Sequence, residues 1–572
     1  MKWEGSFSKA SVFFTALAFV LISAGSLSCR IDFSEINTSP EVEEEADSDV
    51  ESESTNGEET GEIEKEINPV RLWIDEAVPA DMSIKVRSEL IGAFDEVKIV
   101  DKKEDSNISV EVGCPLLEPA AVCTYVPVVS FFRAFDNLSY DELVDFWEGD
   151  GQSLNYMSPE NSGPQLVLTG EVFRVLEEIL GECKNERIEI VDEEELLPYI
   201  ENENSFSIVP FENIEKKFKV LNLDGMSVFD KEIDINDYPL AFGINVEGDG
   251  PEIEEKISEC FNGELITNRD TEKMSSVIMT GVTAMVRGTA NRMERYGPLY
   301  PAEEIAGILR DADITHISNE VPFVESCDVS VDRFPLFCSK PEYIELLEYV
   351  GTDVVELTGN HMNDYGHDWF IYTLDMYDDE GWPYYGGGRN LEESYNPAVL
   401  ESDGNRFAFL GFNWWGPAYD WAAEDTPGSA PPNFEDFEGI IKDLKNEGYI
   451  VIFTFQYLES YQYSPTNSQI EDFRRMIDAG ADIVSGSQSH WPMGIEFRGD
   501  GFINYGLGNL FFDQMKQLGT RQGIIAKHIF YEGQHINTVI ITTMLEDYSQ
   551  PVPAAPEERE EILNSIFEGS IR

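Results

Sequence analysis

Between residues 275 and 546 short β-branched runs alternate with amphipathic ones, and polar residues gather where the runs end. The apolar runs are 276–280, 314–317, 353–357, 407–412, 449–453, 482–484 and 501–505. Helical patterns over 301–311, 340–349, 369–379, 434–446 and 468–479 lie between them, with Pro301 and Asn467-Ser468 as starts. Gly351, Gly381, Gly448 and Gly480 stand where such helices would stop. This alternation predicts an α/β domain built on a largely parallel, helix-covered sheet. Sites in such sheets lie beyond the carboxyl ends of the strands. Two last runs, 523–530 and 535–544, read as an antiparallel pair.

The strand ends carry Ser318-Asn319-Glu320, Gly359-Asn360-His361, Phe455-Gln456-Tyr457-Leu458-Glu459 and Gly486-Ser487-Gln488-Ser489-His490. Two of the chain's six histidines fall in the short stretch 355–370. Carboxylate, amide oxygen and neutral imidazole are the donors of divalent metal sites, and carboxylate and imidazole also transfer protons. Taken singly, each has a structural role open to it: Asn360 as a cap, Glu320 as a solvated carboxylate, His490 as a packed ring. Their recurrence at successive strand ends marks Glu320, Asn360, His361 and His490 as one site, with His361, His490 and Glu459 as candidate acid–base groups. His367, His316 and Thr283 are further candidates.

The 572 residues are too many for one core, so two or three domains are expected. The formal net charge of −71 argues against a nucleic-acid partner, which needs clustered Lys and Arg. Lys2 followed by the apolar run 11–23 has the proportions of a secretion signal rather than a membrane span. The stretch Ser26-Leu27-Ser28-Cys29 resembles a lipobox, so 1–29 reads as a lipoprotein signal with Cys29 as the lipidated residue. The implied localisation is extracytoplasmic, anchored to the membrane by that lipid. Residues 41–66 hold 13 acidic residues and one lysine, which makes 30–67 a disordered acidic linker. Six further cysteines outside the cytoplasm suggest disulfides: Cys114 with Cys123, Cys327 with Cys338, and Cys183 with Cys260 as the remaining pair. Residues 547–572 read as a C-terminal tail.

Residues 68–270 form another α/β unit. A strand runs into Asn137-Leu138-Ser139, where Ser139 is placed to cap a helix with Glu142 at its third position. This unit, with its later Tyr238-Pro239-Leu240, resembles periplasmic solute-binding proteins of the phosphate and molybdate type. Their Ser/Thr/Gly-rich anion loop is replaced here by Val78-Pro-Ala-Asp-Met-Ser83, so a spacer or docking role is expected.

Residues 275–515 resemble the CapA family of capsule-synthesis proteins, associated with poly-γ-glutamate. The resemblance is carried by 312–320, by 351–366 with its Asn360-His361-Met-Asn-Asp364-Tyr-Gly366, by 478–490, and by Ile503-Asn-Tyr-Gly-Leu-Gly-Asn-Leu-Phe-Phe-Asp513. It implies a calcineurin-like metallophosphoesterase fold, with Asn360 and His361 as the family's metal-site or catalytic pair, and Glu320 and His490 in the same site. The chain departs from the family at Val282, where the resemblance places a ligating Asp, at Phe455, where it places a His, and at Ser487-Gln488, where it places two. A dinuclear centre would lack its shared carboxylate. The remaining set would hold one divalent metal ion or form a polar pocket without one. The reading that follows is a cell-envelope lipoprotein that makes, exports or trims an anionic polymer such as poly-γ-glutamate. A non-catalytic polymer-binding protein and an active metal-dependent phosphoesterase are the alternatives.

Overall fold

The computed structural model describes residues 69–113, 119–158, 162–202, 204–263, 265–329 and 335–572. The signal and linker stretches 1–67, with Cys29, and also Cys114, lie outside the described residues. Among the described residues no helix is long and apolar enough to cross a membrane.

The C-terminal half is α/β, and its strands form two main sheets rather than one. In the first, Tyr384–Tyr385, Val354–Glu356, Ile314–Asn319 and Met274–Met279 run parallel, and the long strands Gln522–Tyr531 and Gln534–Glu546 extend the sheet antiparallel. In the second, Asn405–Asn413, Ile450–Ser460, Ile483–Ser489 and Gly501–Asn504 are parallel, flanked by antiparallel Ala398–Ser402 and Ile495–Arg498. Side chains alternate between the two faces of a strand. Val277, Ile314, Phe409, Ile452 and Ile524 therefore meet in a core between the sheets. Ile278, Ile317 and Val355 face the helix His367–Glu380, while Leu410, Phe453 and Phe455 face the helices Phe434–Asn446 and Asn467–Ala479. The order of layers is helix, sheet, sheet, helix. The strands buried on both faces read as continuous apolar runs, which is why they were legible.

Not every expected element formed. The pattern over 301–311 breaks into two short turns, Tyr300–Ala302 and Ala306–Leu309. The 547–572 stretch is a strand, Gln550–Pro553, and a helix, Pro556–Glu568, whose Ile562, Leu563, Ile566 and Phe567 are buried in the inter-sheet core. Its apolar residues fall at helical spacing on a heavily acidic background, and that background hid the pattern.

In the N-terminal half a mixed sheet follows the order Val97–Ile99, Val70–Ile74, Ile108–Gly113, Ala241–Gly248, Ala121–Ser130, Ser205–Pro210, Gln165–Thr169, Ile188–Val191. The helix Tyr140–Trp147 starts after Ser139 as expected, but the Ser139 hydroxyl makes no capping bond. Beyond Ser130 the chain crosses to the other half. Phe131 packs edge-on against Phe497 and Phe502, and Phe132 against Phe567. Beside them Arg559 grips Asp136 with two nitrogens, and Lys219 bonds the same carboxylate at 2.6 Å.

Cys327 and Cys338 are joined. The Cys183–Cys260 pairing is corrected: both carry free thiols, as does buried Cys123. Cys183 is held beside Trp147 and Asn185, whereas Cys260 ends the helix Pro251–Cys260.

His528 and His535 lie 5.3 Å apart ring to ring, both buried and bonded to Thr538 rather than to a carboxylate among the described residues. Burial holds both below the ordinary histidine range, His535 down to about 3. The unfolded chain, with an ordinary pKa near about 6.5, then binds protons that the folded chain refuses. Stability from this pair is complete above about pH 6.5 and declines as pH falls toward about 3, by up to ~1.4 kcal/mol per pH unit for each ring. Urea midpoints measured from pH 7.5 to 4.5 should drop, and a flat profile would remove the claim. Phe131→Ala, which empties the aromatic seam, should cost about 3–5 kcal/mol in the same assay.

Candidate functional site

Three strand ends meet at one edge of the inter-sheet core. Along Ile450–Ser460, Ile452 and Thr454 face the core, so Gln456 does too, and Phe455 points the other way into the outer helical layer. The strand parity thus moves the site position from Phe455 to Gln456. The Gln456 Nε2 lies 2.9 Å from Asn360 Oδ1, 3.1 Å from Gln488 Oε1 and 3.3 Å from Glu320 Oε1. Gly359 allows this closeness, because a Cβ there would come within 2.7 Å of the Glu320 Cα. Gln488 sits at φ 67°, a conformation uncommon for a residue with a side chain and found where surrounding structure enforces it. Burial pushes the Glu320 carboxyl up to about 7, offset only in part by His361 and the Gln456 bond.

His361 stands at the next position. Its Nδ1–H donates to Asp364 Oδ2 at 2.7 Å, and the Phe337 backbone N–H donates to the same oxygen at 2.8 Å. Gly366, at φ 87°, turns the chain after Asp364 into the helix His367–Glu380. Burial draws the His361 pKa down, but the Asp364 bond and charge outweigh it, and the ring is held above its ordinary value. Engaging Nδ1 in this way leaves Nε2 as the ring nitrogen open to another partner. Nearby Asp420 accepts the Asn363 N–H at 2.7 Å, and burial pushes its carboxyl up to about 8.

His490 is oriented the same way, with Nδ1 2.8 Å from Asn509 Oδ1, the Asn of the Gly506-Leu-Gly-Asn509 motif. Its Nε2 lies 3.8 Å from Glu459, and burial holds the ring below the ordinary range. His361 packs on Phe337 and His490 stacks on Phe512. Arg287, bonded to Asp513, lies over both of these phenyl rings. Exposed Trp415, Tyr419 and Tyr461 stand around this region, Tyr419 bonded to Asp364 and Tyr461 to Glu459.

Glu320, Asn360, His361, His490 and Glu459 are therefore brought together. Of the three weaker candidates, Thr283 borders the site, its carbonyl accepting the Glu320 backbone N–H at 3.0 Å, and the two histidines do not join it. His316 is buried between the sheets, bonded to Tyr385 at 2.9 Å and Glu356 at 3.2 Å. His367 is exposed at the start of its helix, and Thr283 is buried with no partner for its hydroxyl among the described residues. Sequence reading did not assign Gln456 to the site, because the runs alone do not say which face of its strand meets the second sheet. It missed Arg287 because the helix Arg287–Tyr296 is mostly polar and buries only Thr289, Ala290 and Met293.

The residues fit a dinuclear metal centre poorly. Val282 packs with Val321, Phe337 and Phe512 in an apolar cluster. Ser487 bonds Ser318 at 3.2 Å. Among the described residues no three His, Cys, Asp or Glu side chains gather in metal-holding geometry.

Residues 276–514 match the family profile described as bacterial capsule synthesis protein PGA_cap. This part of the chain is similar to the bacterial capsule synthesis family. The chain is 26% identical over 297 residues to the capsule biosynthesis protein CapA of Bacillus anthracis, covering 51% of this chain and 72% of that one. It is 26% identical over 260 residues to the PGA biosynthesis protein CapA of Bacillus subtilis, covering 45% and 64%. A phosphate transport receptor from Vibrio cholerae aligns in structure over 34% of this chain and 94% of its own, at 12% identity and a TM-score of 0.29, too low to carry an argument. The strand ends of the matched region hold the polar cluster.

In the matched region, Asp364→Asn should lower the His361 pKa relative to the unaltered chain in a two-dimensional NMR titration of the imidazoles. An unchanged His361 would show that the dyad is not what holds its proton.

Proposed function

We propose that this protein is an envelope-anchored, CapA-like component of capsule metabolism that acts on an anionic polymer of the poly-γ-glutamate type. The observation that carries this reading is the His361–Asp364 dyad, held in the matched region beside Glu320, Asn360 and His490. His361 would move a proton at Nε2 to or from a polymer group, with Asp364 keeping Nδ1 occupied. His490 and Glu459 would serve the same polymer segment, and Trp415, Tyr419 and Tyr461 would pack against its methylene stems. Arg287 places one fixed positive charge near His490 in a chain of −71, which favours a carboxylate there. Cys29 would carry the lipid, and the acidic stretch would hold the folded part away from the membrane.

A second reading is a protein that grips the polymer without changing it. The apolar patch at Val282 favours it, because the resemblance places a carboxylate there.

The test is incubation of the full chain with γ-linked polyglutamate, following chain length by gel filtration and binding by sedimentation. Processing should fall about 10²–10⁴-fold in His361→Ala, with polymer binding retained. Binding without any change in polymer length would select the second reading, and neither binding nor processing would reject both.

A further inference from the structure

Three oxygens from three strand ends converge on the Gln456 carboxamide nitrogen, a geometry in which oxygen-rich centres ordinarily surround a cation. We propose that the Gln456 nitrogen takes the place of that cation, making this a metal-independent centre organised by an amide. Gln456 is a positioning residue here: it draws Glu320, Asn360 and Gln488 into one cluster beside the histidines.

The distances fit this assignment. Contacts of 2.9–3.3 Å are N–H···O lengths, whereas oxygens ligate calcium at about 2.3–2.6 Å and magnesium at about 2.0–2.1 Å. The amide has two protons for three acceptors, so the third contact rests on its partial positive charge. Exchanging the oxygen and nitrogen of Gln456 alone would press four oxygens together with one carboxylate among them, and holding that arrangement would need a cation, a proton on Glu320 or a matching exchange at Asn360 and Gln488. Several features disfavour the cation. Gln456 and Gln488 are both buried, so neither amide has open space to swing into. Val282 and Phe512 wall the neighbouring space with hydrocarbon, and Arg287 already supplies a positive charge close by. The two imidazoles are then free of metal and keep Nε2 for a ligand.

The test is metal content and needs no polymer, so it stands apart from the functional reading. The full chain is stripped with chelator, dialysed against Mn²⁺, Zn²⁺ or Mg²⁺ and assayed by plasma mass spectrometry. Glu320→Gln, treated alike, supplies the background from the acidic surface. Above that background the unaltered chain should retain less than about 0.1 equivalent of each ion, and its melting temperature should not respond to them. Gln456→Glu, which turns the amide into a second carboxylate, should gain about one equivalent of Mn²⁺ and melt higher in its presence. About one equivalent in the unaltered chain overturns the proposal, as does a folded Gln456→Glu chain that binds none. If that variant does not fold, the unaltered chain decides alone.

Discussion

The period of two along a β-strand governs this molecule's chemistry. Each central strand of the C-terminal half sends alternate side chains into a space closed by a facing sheet. Over most of its length that space is filled by Val277, Phe409, Ile452 and their neighbours. Toward the carboxyl ends the same inward positions become polar: His316 and Glu356, then Ser318 and Gln456, then Glu320 and Asn360 at the edge. Polar groups in such a place must satisfy one another, because water does not reach them. The His316–Glu356–Tyr385 network meets that demand, while the Gln456 cluster meets it at the amide nitrogen and leaves the Gln456 Oε1 without a partner among the described residues.

Much of this could be read from the chain itself. Glu320, Asn360, His361 and His490 were visible because each follows an apolar run, and the structure gathers them with Glu459. The strands were visible because burial on both faces leaves unbroken apolar runs. What escaped depends on direction or distance. Whether Phe455 or Gln456 faces the site turns on which strand face meets the second sheet, and the runs alone do not say that there is a second sheet. Arg287 belongs to a mostly polar helix whose buried face is small, and its place comes from Phe337 and Phe512, far away in sequence. The Cys183–Cys260 pairing rested on arithmetic, and the fold gives the two residues different neighbours.

The site is also more tightly tied than its residue types suggest. Asp364 receives the His361 imidazole and the Phe337 amide on one oxygen, and Tyr419 on the other. Phe337 precedes Cys338, whose disulfide to Cys327 packs near Tyr365 and Trp369. Loop, helix start and aromatic rim therefore share one carboxylate. A disturbance in any of them reaches the His361 imidazole through a single side chain.

The aromatic seam at Phe131 and Phe132 bears on how the chain can be divided. These two rings belong by sequence to the N-terminal sheet but are buried against Phe497, Phe502 and Phe567 of the other half. A fragment beginning near residue 275 would lose them and present that phenylalanine surface to water. Such a contiguous oily patch invites self-association. The isolated catalytic-looking portion would clump in a test tube for reasons unrelated to its chemistry, and the N-terminal half serves it as a lid over bare hydrocarbon.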